Sequence, residues 1–195
     1  MKQIEVTLKV NSTLEEIDTN LKKQGFNIIR KSRIEDKYMC SESYVLNKNN
    51  ILDVLNHSVL LRYLCVDNKE TFKKITYKNK IYENNTVISE EKINVNVDNL
   101  LNAERLLNAV GFKKLVDVNY DVIVYQKDKL EFCFQNVENL GILLEYENEK
   151  DFEGKTNEEI LSCKKNMVEE IKKYGLLVDD DYDIKKAYEL IKQQL

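Results

Sequence analysis

KLEFCFQNVENLGILLEYENE, residues 129–149, consists of two alternating runs joined by a short turn. Read as β-strands, 129–137 puts Glu131, Cys133 and Gln135 on one face, and 142–149 puts Glu145, Glu147 and Glu149 on one face. The intervening faces are apolar. ENLG is too short for a crossover, so the two strands must run antiparallel.

The same alternation recurs along the chain. IEVTLKV (4–10) puts Ile4, Val6, Leu8 and Val10 on one face and Glu5, Thr7 and Lys9 on the other. Further strand patterns occupy 58–66, 71–80, 86–97 and 116–126, and DNKE and QKDK are connections of hairpin length. Thr76, Lys78 and Lys80 share a face of the 71–80 run. So many strands with short turns predict an antiparallel barrel or sandwich.

Two helices interrupt the strands in similar ways. Ser12 opens an S-x-x-E capping box ending at Glu15, Leu14, Ile17 and Leu21 recur at helical spacing, and Gly25 ends the helix before GFNII. After INVNV (93–97), Asp98 is read as the cap of a helix carrying Leu101, Leu106 and Val110, which Gly111 ends before GFKKL. Strand, helix, Gly-Phe and strand thus occur twice, as expected of two related halves. Beyond the strands, Thr156 and Glu159 form another capping box, DIKKAYELIKQQL is a terminal helix, and LLVDDDYD is an acidic loop.

Composition narrows the function. The 195 residues predict one domain, with strands over about 3–150 and helices over about 156–195. Thirty basic and 34 acidic side chains give a net charge of −4, so nothing global attracts nucleic acid or an anionic membrane. No run approaches the ~20 apolar residues of a membrane span, and a charged N-terminus is unlike a signal peptide, so a cytoplasmic protein is expected. Four scattered cysteines without a C-x-x-C pair, and a single histidine, His57, speak against a zinc site and a Cys–His nucleophile.

In order along the chain, EVTLK (5–9), LLRYL (60–64), ITYKNK (75–80) and FQNVENLGILLEYE (134–147) resemble the motifs of the CYTH proteins, or triphosphate tunnel enzymes. That family includes class IV adenylyl cyclases, thiamine triphosphatases and inorganic triphosphatases. KKAYEL (185–190) is similar to its closing helix. The resemblance implies an α+β fold with a closed, eight-stranded antiparallel β-barrel whose charged interior binds a small-molecule triphosphate with Mg²⁺ or Mn²⁺, as a monomer or homodimer. It implies Glu5, Glu145 and Glu147 as metal ligands. Lys9, Arg62 and Lys78 would grip phosphate and serve catalysis, with Lys80 and Lys92 as further substrate contacts.

The sequence also departs from the family pattern. Thr7 stands for a second glutamate, Leu64 for the second arginine of L-R-x-R, and Gln135 for an aspartate. Glu90 and Lys92 reverse an R-x-E pair, and 115–126, with Tyr120 and Val122, has no basic residue where K-x-R is expected. Phosphoryl transfer depends on positioned charge, so three readings follow: a metal-dependent triphosphatase or adenylyl cyclase, a tunnel that binds without turnover, or a protein-interaction scaffold with solvated charges. Asp36, Tyr38 and His57 are read as structural.

Overall fold

The computed structural model describes residues 4–67, 69–83, 86–148 and 154–195; within these, side chains 70, 71, 79–83 and 86–91 are not described. The strands are β1 (Ile4–Lys9), β2 (Asn27–Ser41), β3 (Val59–Val66), β4 (Lys69–Glu83), β5 (Thr86–Asn96), β6 (Phe112–Lys127), β7 (Leu130–Val137) and β8 (Gly141–Asn148). The helices are α1 (Leu14–Lys23), α2 (Ile51–Asn56), α3 (Leu100–Ala109), α4 (Asn157–Lys173) and α5 (Lys186–Gln194). All eight strands join one sheet in the order β1-β8-β7-β6-β2-β3-β4-β5.

The expected eight antiparallel strands are present, and each pair with a described register is antiparallel. Closure of the sheet on itself is not part of this pairing, whose order ends at β1 and β5. The outward backbone groups of β1 are instead bonded to the segment 177–184. Thr7 N–H donates to the Tyr182 carbonyl at 2.9 Å, Ile184 N–H to Thr7 at 3.1 Å, Asp179 N–H to Lys9 at 3.0 Å and Asn11 N–H to Leu177 at 2.8 Å. What reads as an acidic loop therefore covers the edge of β1 and satisfies donors and acceptors that an edge strand would expose.

The chain falls into two compact units. The first comprises Met1–Lys31, Asp121–Val137 and Gly141–Ile184; the second comprises Ser32–Tyr120, Glu138–Leu140 and Lys185–Leu195. In the first, α1 and α4 lay Ile17, Leu21, Ile160, Met167 and Ile171 on the apolar face of β1, β7 and β8, around Phe26, Phe132 and Phe134. Both helices begin with complete capping boxes, Thr13 with Glu16 and Thr156 with Glu159. The first lies one residue beyond the predicted Ser12 and Glu15. In the second unit α3, capped by Asn99 in place of the predicted Asp98, packs Ala103, Leu100 and Leu107 on Met39, Leu61 and Ile75.

Candidate functional site

In the first unit, β1 and β8 bring three carboxylates together. Their antiparallel register sets Glu5 directly opposite Glu147 and Thr7 opposite Glu145. Because side chains of one strand alternate in direction and those of opposed residues agree, Glu5, Glu145 and Glu147 share a face. Each offers an oxygen, and these atoms lie within 4.8 Å of one another. Glu145 is half-buried and its neighbours are exposed.

Two of the sequence departures lie beside this group. Gln135 is 4% exposed, and its amide donates to Glu145 Oε2 at 2.8 Å. An aspartate there would repel Glu145, whereas the amide holds it. Thr7, also buried, adds no charge and is fixed through its backbone by the 177–184 segment. Lys9 follows on the same strand face and is exposed. Lys164 on α4 is buried and donates to Asp183 at 2.5 Å, fastening the segment that covers β1.

The second unit carries a basic face on β3, β4 and β5. Arg62 pairs with Lys74 in register, Thr76 with Asn94, and Lys78 with Lys92, so these side chains project together. Thr76 is buried and donates to Asn94 at 2.8 Å, which separates the two basic pairs by a neutral rung. Lys80 stands opposite Glu90 in the backbone register; both side chains lie outside the described residues, as does Glu149.

Arg62 is held by a group of its own unit. Its Nε and Nη2 donate to Asp36 at 2.6 and 2.5 Å, and Nη2 reaches the Tyr120 hydroxyl at 3.4 Å. Asp36 is 3% exposed. Burial opposes the guanidinium charge, but the hydrogen bonds and charge of Asp36 outweigh it and hold Arg62 above its ordinary value. Tyr120 and Val122, on the strand lacking K-x-R, are both buried. Lys186 of α5 lies over the Tyr120 ring, 4.7 Å from its centre.

Sequence reading missed Lys74. Its ammonium is pushed below the usual lysine range by burial first and then by Arg62, with Lys92 adding to this and Asp36 opposing it. His57, read as structural, closes α2; its Nδ1 lies 2.8 Å from the Asp53 carbonyl and its ring 5.5 Å from that of Tyr44. No helix among the described residues is long and apolar enough to cross a membrane.

No family model matches the chain. It is 26% identical over 195 residues to the Methanocaldococcus jannaschii protein "Putative adenylate cyclase MJ0240", covering 96% of this chain and 97% of that one. Among solved structures, the PH1819 protein of Pyrococcus horikoshii OT3 superposes over the full length of both chains with a TM-score of 0.71 at 19% identity. A "putative adenylate cyclase" of Vibrio parahaemolyticus gives a TM-score of 0.60 at 11% identity, covering 98% of this chain and 97% of the other. At these identities the structures establish likeness of fold.

Proposed function

We propose that the chain is a divergent CYTH-like protein that binds a small-molecule triphosphate together with a divalent cation, a reading supported by its likeness to a putative adenylate cyclase and to folds of the same kind. The observation that carries this reading is the convergence of Glu5, Glu145 and Glu147 oxygens within 4.8 Å. Hard carboxylate oxygens fit Mg²⁺ or Mn²⁺, and neither nitrogen nor sulfur donors stand in the group. Bound there, the cation would neutralise phosphate oxygens and polarise the phosphorus under attack.

The chain's own residues take the remaining roles. Gln135 orients Glu145 by donating to it and leaves its charge intact. Within the second unit, Lys78 and Lys92, opposite each other on β4 and β5, offer point charges to an anion. Lys9 is a further cation on the strand of Glu5. Arg62 differs from the expected phosphate fork, because two of its donor groups are directed at Asp36.

A second reading, binding without turnover, has its own support. Arg62 is neutralised by Asp36, and buried Tyr120 and Val122 occupy the strand where two cations are expected. Losing one positioned donor costs roughly 10²–10³ in rate, so several such losses could leave an anion-binding protein without catalysis. Hydrolysis and cyclisation would differ in the attacking oxygen: water at the terminal phosphate, or the ribose 3′-oxygen at the α-phosphate.

Manganese titration followed by electron paramagnetic resonance tests the metal assignment. The wild type should remove free Mn²⁺ from the spectrum, and Glu145→Gln and Glu147→Gln should each weaken the effect about tenfold or more. Equal Mn²⁺ uptake by wild type and both variants would overturn the assignment. Product analysis with ATP and with inorganic triphosphate then separates turnover from binding alone.

A further inference from the structure

We propose that Lys74 is an anion-binding residue and that, with Lys78 and Lys92, it matches a chain of linked phosphates in preference to a single phosphate. The inference rests on the triphosphate reading above and deepens it.

Three observations carry it. Lys74 is half-buried, and it has no hydrogen-bond partner among the described residues. The register places it opposite Arg62, and both Arg62 and Lys92 act on it as like charges. Among the described residues, the carboxylate acting on it is that of Asp36, which already accepts two hydrogen bonds from Arg62. A half-buried ammonium facing like charges is unfavourable in the protein alone and becomes favourable when an anion enters.

Spacing gives the ligand class. Lys74 and Lys78 lie on the same side of β4 four residues apart, which at about 3.4 Å per residue is about 14 Å between their Cα atoms. The buried Thr76 between them is engaged with Asn94 and brings no charge. One phosphate cannot engage both ammonium groups closely with the side chains extended, whereas a linked chain presents oxygens to each. Lys92, opposite Lys78, strengthens one end, and Lys74 beside the Arg62–Asp36 pair serves the other.

The test uses the full chain with Mg²⁺. Calorimetric titration with inorganic triphosphate, pyrophosphate and orthophosphate would compare the wild type with Lys74→Met, Lys74→Arg and the exposed control Lys114→Met. The expected result is a loss of tenfold or more in triphosphate affinity for K74M, a much smaller loss for orthophosphate, near-complete retention by K74R and no change in K114M. Urea unfolding without ligand should find K74M at least as stable as the wild type, since a like charge is removed. A purely structural Lys74 would instead lose stability. Wild-type affinity in K74M would overturn the inference while leaving the triphosphate reading intact, and a wild type that binds none of the three anions would overturn both.

Discussion

Asp36→Ala removes the acceptor of the buried Arg62 fork and leaves the guanidinium where it is. In the native protein two charge-assisted hydrogen bonds, at 2.6 and 2.5 Å, join the pair. Asp36 is 3% exposed and the Arg62 side chain 22%, so water reaches the pair poorly. Breaking such a pair by removing one partner costs about 3–5 kcal/mol, because an uncompensated charge stays behind. Against a total of about 5–15 kcal/mol for a domain, that is a large share. Replacing both partners with apolar residues, as Asp36→Leu with Arg62→Met, should cost far less, since no orphaned charge remains. Urea unfolding of the wild type, Asp36→Ala, and the cycle of Asp36→Leu, Arg62→Met and their double variant measures the coupling. A D36A loss below about 1 kcal/mol, or a double variant that loses the sum of the singles, would refute the claim that the two residues act as one unit. The anion readout should move oppositely: Asp36→Asn frees Arg62 donors and should raise triphosphate affinity.

Other consequences are open to measurement. Lys78→Ala should lower triphosphate affinity about tenfold or more, the scale of losing one charged hydrogen-bond donor, and calorimetry would read it directly. Glu5→Gln should abolish most of the rise in thermal midpoint produced by millimolar Mg²⁺, because one of three ligands is lost. Tyr125→Phe removes the 2.9 Å hydrogen bond from the buried Tyr125 hydroxyl to Asp18 and should cost about 1–3 kcal/mol in urea unfolding. Lys74 titrates below the ordinary lysine range, and an anion would raise its affinity for protons. Triphosphate affinity should therefore fall as the pH rises toward that range; the charged groups acting on Lys74 are Arg62, Asp36 and Lys92. In K74R the fall should move to higher pH, and equal pH profiles in the two proteins would contradict the role of Lys74.

Seven of the eight strands were legible because alternation reports a half-buried strand directly, and the count of eight came from the family resemblance. The runs at 58–66, 116–126 and 129–137 correspond to β3, β6 and β7. The carboxylate group was legible from E-x-x-x-K near the start and E-x-E in 145–147, though their meeting depends on the Glu5–Glu147 register, which no single strand encodes. β2 was underread because charges in RKSRIEDK break its alternation over most of 15 residues. α2 was missed because six residues give too little periodicity. At STLEE, Ser12 and Thr13 each have a glutamate three residues on, and only backbone geometry selects Thr13. The 177–184 segment reads as a loop because its role rests on main-chain hydrogen bonds, to which side-chain pattern is blind. Arg62 and Asp36 are 26 residues apart, so a motif naming Arg62 as a phosphate ligand carries no sign of its buried partner.

Phosphorus NMR of inorganic triphosphate with the purified protein and Mg²⁺ bears most directly on the central claim. Triphosphate binding predicts shifted or broadened terminal and central resonances whose change weakens in Lys78→Ala, with new orthophosphate and diphosphate signals if turnover follows. Spectra identical to a protein-free control at protein concentrations above the ligand's would contradict it.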